Sequence, residues 1–160
     1  MLIPFDEMPG NARVWIYQSD RAFDSSELKI IDSLSFNFFK SWAAHGNPLK
    51  SSFKVYHDKF LVISVDESFN QASGCSIDAS VALIRQIENE LKVNFFDRTR
   101  VSFISDGKIF NGHLTDLKGL IENGKIQKET LTFNNLVTNI DELNKNWMVP
   151  AGESWLSRYF

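Results

Sequence analysis

The chain has 160 residues, 43% of them hydrophobic and 23% charged, with a net charge of −3. Lysine and arginine are scattered rather than clustered, which argues against a dedicated nucleic-acid or acidic-membrane surface. The single cysteine excludes an internal disulfide and fits a reducing compartment.

The opening MLIPFDEMPG lacks the basic start and apolar run of a secretory signal. No stretch approaches the ~18 apolar residues of a membrane helix. The expectation is a soluble cytoplasmic protein. One domain of this length buries roughly 70% of its unfolded surface, and 14 Phe with 4 Trp make its core and interfaces aromatic-rich.

In chain order, RVWIYQ at 13–18 reads as a strand. Ser25 or Ser26 caps a helix with Glu27 in its first turn. Leu28, Ile31, Leu34, Phe38 and Trp42 recur at helical spacing, and Gly46 is the expected left-handed cap. The cluster Phe36, Phe38, Phe39 and Trp42 reads as core rather than as a cofactor box. FKVYHDKFLVISVDE then gives two strands, about 52–56 and 59–65, joined by a tight hairpin at Tyr56–Lys59. Ile77, Val81, Ile84, Ile87 and Leu91 make the apolar stripe of a second helix, and VSFIS at 101–105 is a further strand.

This β-α-β-β-α-β order predicts an α+β, ferredoxin-like core over residues 1–105, with sheet order 4-1-3-2. Residues 106–160 are expected as a mixed helix and strand extension packed on it in a single compact domain. Within that extension, Asp106-Gly107 predicts a hairpin, 114–123 a short helix ending at Gly124, 130–133 a strand and 141–147 a helix. The aromatic tail, with Trp155, Tyr159 and Phe160, is expected to pack on the domain or on a partner.

Several stretches together, VWIYQSDR (14–21), SWAAHG (41–46), VDESFNQASGCSIDAS (65–80), DRTRVSF (97–103), FNNLV (133–137) and SWLSRYF, resemble a small uncharacterised bacterial family often labelled "ABC transporter ATPase". The resemblance spans nearly the whole chain. It implies a stand-alone soluble protein and no established activity, cofactor or catalytic residue. The ATPase label is at odds with the residues. Gly119 to Lys125 satisfies G-x-x-x-x-G-K, yet Gly119 falls inside a helical pattern and Ile126 stands where a magnesium-binding Ser/Thr belongs. VISVDE at 62–67 precedes it, the reverse of the usual Walker order. The plainer reading is a helix with its cap, and a strand ending in solvated acids.

The expected topology gathers polar residues at one end of the sheet. Asn11 and Arg13 start the first strand. His45 and Asn47 follow the first helix, Asp66 and Glu67 end the 59–65 strand, and Ser105 and Asp106 end the 101–105 strand. His57, with Asp97 and Arg98, falls at the opposite end, and His113 is undetermined. Cys75 immediately precedes the second helix, where backbone N–H groups around Ser73, Gly74 and Ser76 can hold an anion.

Three functions are therefore weighed. The first is a regulatory or ligand-binding module that takes a small ligand or anion at Asn11, Arg13, Glu67, Ser73, Gly74 and Ser76. The second is an enzyme with Cys75 as nucleophile and His45 as base. The third is a self-associating protein using the exposed edge strand at 52–56 and the aromatic tail, a second copy being the partner. Free cysteine also commonly fills space, Ser73 or Ser76 is an ordinary cap, and His45 can serve the end of the first helix. No metal site is expected from three dispersed histidines and one cysteine, and no cofactor is called for.

Overall fold

The computed structural model describes residues 1–160. The chain is α+β, and it divides into two compact units. The first comprises Met1–Phe96 with Thr138–Asp141, the second Asp97–Val137 with Glu142–Phe160. The chain first passes from one unit to the other after Phe96.

In the first unit, β1 (Arg13–Gln18), β4 (Ser51–Tyr56) and β5 (Phe60–Val65) form an antiparallel sheet in the order β1-β5-β4. Every residue of β5 is buried, as a central strand covered on both faces requires. The helices α1 (Ser25–Phe39) and α2 (Gly74–Leu91) contribute Ile31, Phe39, Leu83, Ile84 and Ile87 to a core that also holds Leu61, Ile63 and Val65. Phe39 is fully buried, with Phe38, Trp42 and Phe53 around it at ring-centroid distances of 5.0, 5.3 and 5.6 Å.

The β-α-β-β-α run and the neighbours of β5 follow the expected plan. The fourth strand does not. β6 (Arg100–Ser105) belongs to the second unit, where it pairs with β7 (Lys108–His113) on one edge and β8 (Leu131–Phe133) on the other. A strand has only two edges, and both are occupied. The Asp106-Gly107 turn fastens β6 to β7, both residues taking positive φ (53° and 74°). Nor is the free edge of β1 left for it: Thr138 O accepts from Val14 N (2.9 Å) and Ala12 O from Ile140 N (3.1 Å). Asp141 N then donates to Gly10 O (2.8 Å), and a Cβ on Gly10 would overlap the Asp141 carboxylate.

Helix α1 stops at Phe39, earlier than expected. Its cap is Asp24, which accepts from Glu27 N while the Glu27 carboxylate accepts from Asp24 N, a reciprocal capping box. Gly46 caps no helix. With His45 it forms the turn (φ 51° and 78°) of a small hairpin, β2 (Ala43–Ala44) and β3 (Asn47–Pro48). A left-handed glycine serves either purpose equally well, so sequence alone does not choose between them.

Glu27 also receives two hydrogen bonds from the Arg21 guanidinium, at 2.8 and 2.7 Å. These bonds, with the Asp24 amide, hold its carboxyl down to about 2. A depressed acid stabilises the fold above its unfolded pKa of about 4.3 and loses that contribution as pH falls towards the folded value. Glu27→Gln is therefore expected to be less stable than the native chain at pH 6. The gap in melting temperature should close as pH drops from about 4.5 to 2, as thermal unfolding across that range would show.

In the second unit the sheet order is β7-β6-β8-β9, with β9 at Met148–Pro150. Val101, Phe103, Leu117, Ile126, Ala151 and Leu156 form its core, and Tyr159 and Phe160 pack against it. Trp155 does not join them and is half exposed. The remaining helices are α3 (Leu117–Glu122) and α4 (Ile140–Asn146). Gly119 lies inside α3, and Gly124, at φ 76°, follows its C-cap. The G-x-x-x-x-G-K string is thus the end of a helix, where carbonyls rather than N–H groups are free. It lacks the strand-to-helix setting in which such a loop cradles phosphate. No helix is long and apolar enough to cross a membrane.

Candidate functional site

Two places in the first unit are candidates. One is the start of α2, where the sequence gathers its chemistry. Ser73 is the N-cap: its Oγ accepts from Ser76 N at 3.1 Å, and its own N–H donates to Ser76 Oγ at 2.7 Å. Ser76 is buried and donates its hydroxyl back to Ser73 O (2.8 Å). Both serines therefore spend their polar groups on each other. Glu67 accepts from Ala72 N at 3.1 Å and lies 3.6 Å from the Arg13 guanidinium. Arg13 in turn lies 4.5 Å over the Trp15 ring. Trp15 meets Trp42 edge-on, and Trp42 Nε1 donates to Ser76 O at 2.9 Å. Arg13, Glu67, Ser73 and Ser76 thus belong to one bracket that fixes the loop between β5 and α2.

Asp66 completes that bracket by accepting from Ser68 N (3.1 Å) and Ser68 Oγ (2.6 Å), which shapes the turn after β5. Gly74 and Cys75 remain exposed in the first turn of the helix. The hairpin that carries His45 is tied to the same loop, since Asn70 donates to Asn47 O at 3.1 Å and Pro48 O at 3.4 Å.

His45 is exposed at the hairpin tip and forms no hydrogen bond with Cys75, so the two are not joined as nucleophile and base. Asn11 is exposed in the turn before β1. Ser105 and Asp106, expected here, lie at the β6–β7 turn of the second unit instead. His57 sits in the β4–β5 turn, at the far end of the strands, as the topology requires. His113 belongs to the second unit, where its Nδ1 accepts from Thr115 N (3.2 Å) and caps a short turn. No group of three His, Cys, Asp or Glu side chains gathers as a metal ligand set.

With Cys75 exposed, native protein is expected to titrate one thiol per chain with an aromatic disulfide reagent before any denaturant is added. A thiol that reacts only after unfolding would contradict this placement.

The other candidate was only half visible in the sequence. β4 is an edge strand. Its first residue is covered by the chain's own start: Ser51 N donates to Met1 O (2.9 Å) and Ser51 O accepts from Ile3 N (3.0 Å). Pro4, which has no N–H, then turns the chain into a short 3-10 turn at Phe5–Glu7. Backbone groups alternate sides along an antiparallel strand. Ser51 points outward, so Phe53 and Val55 point outward too, and beyond Pro4 no strand pairs with them.

Beside this edge runs the Phe5–Glu7 turn, with Phe5 edge-on to Tyr56 at 6.0 Å and Asp6 3.8 Å from Lys54, and next to it lies a shallow, solvent-open groove of ≈ 540 Å³ lined by Leu2, Ile3, Phe5, Phe36, Lys40 and Phe53, among others. Phe36 was expected in the core. It is instead 52% exposed, because the buried face of α1 follows Ile31, Ser35 and Phe39 and leaves Phe36 off that line. Spacing alone did not separate it, since Phe36 stands three residues before the buried Phe39. Lys40 flanks the groove, its Nζ 5.7 Å over the Phe36 ring, while Lys54, on the other face of the sheet, holds its Nζ 4.9 Å over the Tyr56 ring. Burial pushes the Tyr56 phenol above its ordinary pKa, as does the nearby Asp6 charge.

Compared with known proteins, the chain matches no protein-family model, no curated protein and no solved structure.

Proposed function

We propose that this protein is a non-catalytic interaction module that docks an extended polypeptide segment by strand addition to the outer edge of β4. The observation that carries the reading is the coincidence of outer main-chain groups at Phe53 and Val55 that no strand pairs with and an apolar groove beside them. Main-chain hydrogen bonds supply affinity in strand addition, and pockets for alternate side chains supply selectivity. Phe36 and Phe53 line the groove that takes such side chains. An open edge is otherwise an aggregation hazard that proteins blunt with charge or cover; here Lys54 and the N-terminal segment do both, so a docking strand displaces the Phe5–Glu7 turn from its place beside β4.

The test is fluorescence anisotropy of a labelled ten-residue peptide with alternating apolar residues, titrated with the whole chain. Saturable binding that Phe36→Ala weakens supports the reading. Binding to neither this peptide nor any other extended apolar peptide would refute it.

A small-ligand or anion site at the start of α2 ranks second. Its support is the exposed Gly74 and Cys75 at a helix N-terminus. Against it, the serines cap each other and Glu67 sets a carboxylate beside the place an anion would occupy. A Cys75–His45 enzyme ranks third, lacking the hydrogen bond that would activate the thiol.

A further inference from the structure

The occupant of the β4 edge can be narrowed further, on the assumption that the edge is a docking site. Side chains alternate along β4. Phe53 and Val55 pack against the core that α1 and α2 share with Leu61, Ile63 and Val65. Lys54 therefore projects from the opposite face of the sheet, between Ser52 and Tyr56, and its Nζ lies over the Tyr56 ring. It stands between the two outward-pointing residues, beside Asp6 and Phe5 of the N-terminal turn, which a docking strand displaces.

A second copy of the chain fits this edge poorly. Antiparallel pairing that sets Phe53 against Val55 of the partner subunit brings two Lys54 side chains directly opposite each other, and like charges there are destabilising. The register with Val55 against Val55 sets Phe53 against His57, which lies in the β4–β5 turn at φ 54° and continues no strand, and the register with Phe53 against Phe53 needs the outward groups of Ser51. Met1 and Ile3 already hold those.

The charge selects a different occupant. We propose that the β4 edge binds an extended peptide, in antiparallel pairing, whose centre reads apolar–acidic–apolar. The acid lies opposite Lys54, and the two flanking apolar side chains fall on the helix side, against Phe36 and Phe53. The Lys54 ammonium is available for this. Its present partner, Asp6 at 3.8 Å, has a side chain 91% exposed, and such a solvated pair contributes little.

A charge-swap titration with the whole chain tests this. Three labelled ten-residue peptides are used, with centres Val-Glu-Val, Val-Gln-Val and Val-Lys-Val. Native protein is expected to prefer Val-Glu-Val over Val-Lys-Val by about fivefold or more, as opposite and like cross-strand charge pairs imply. Lys54→Glu should invert the order, and its circular dichroism should match the native chain because the side chain is exposed. Equal affinity for all three peptides would overturn the acidic preference while leaving edge docking in place. Failure of every peptide to bind would overturn both. Concentration-dependent dimers in light scattering, abolished by Lys54→Glu, would name a second copy as the occupant and overturn the peptide proposal.

Discussion

Phe39→Ala is expected to cost about 3–5 kcal/mol of unfolding free energy, the usual range for deleting a fully buried phenylalanine. The ring has no solvent contact and is stacked on Phe53, with Phe38 and Trp42 edge-on around it. Its removal leaves a cavity between α1 and the sheet that these rigid rings cannot collapse into. Domains are stable by only ~5–15 kcal/mol, so the loss is a large share of the total. Phe36→Ala, three residues earlier on the same helix, is the control. That ring is half exposed, and its removal should cost less than about 1 kcal/mol. Urea unfolding of both variants decides the matter. Equal losses would mean that Phe36 belongs to the core after all.

The pair also shows what the sequence could reveal about the fold. Helical spacing picked out Ile31 and the aromatic end of α1, and the continuous apolar run FLVISV marked the central strand. Both rest on local periodicity, which burial imposes directly on the residues. The position of β6 rests on something else. Its residues read as a strand in either sheet, and the choice between the edge of β1 and the edge of β7 depends on what else claims each edge. The segment Thr138–Asp141, some 120 residues along the chain from β1, takes one of them. Nothing in VSFIS records that competition. Gly46 is a similar case, for its left-handed backbone was legible but the element it serves was not.

Val55→Pro is expected to weaken peptide docking at least tenfold while leaving the fold intact. Val55 N–H points away from β5, so proline removes no bond of the native ladder, and edge strands tolerate proline where the N–H faces solvent. The same change deletes a donor that strand addition needs and sets a ring where the incoming backbone must approach. One hydrogen bond is worth about 1 kcal/mol net, and the unpaired carbonyl left on the peptide adds about 1–3 kcal/mol. A tenfold loss requires only about 1.4 kcal/mol. Because the Val55 side chain also packs on the core, the melting temperature should fall by a few degrees, and native circular dichroism at the assay temperature separates lost docking from lost structure. Unchanged affinity in the folded variant would mean that the backbone of β4 takes no part in binding.

The candidate sites were unequally legible. The sequence identified an open strand at 52–56, because FKVYHD mixes polar with apolar residues as an edge strand does. It drew more attention to the start of α2, where Cys75, His45 and two serines suggested chemistry. Ser73 and Ser76 turned out to complete a cap, and Glu67 and Arg13 to brace a loop. Residue types at a helix start are the same for capping and for binding, so only the hydrogen-bond partners separate the two uses. The groove beside β4 escaped notice for a different reason. Its walls come from the N-terminal segment, α1 and β4, and no single stretch of sequence contains it.

Residue-resolved amide hydrogen exchange, with and without the Val-Glu-Val peptide, tests the docking of a strand on β4 most directly. Phe53 and Val55 are expected to exchange quickly in the free protein and to slow on saturation. Ser52 and Lys54, already paired with β5, should change little. Exchange at Phe53 and Val55 that is unaffected by saturating peptide, or protection that falls on Gly74 and Cys75 instead, would contradict the account.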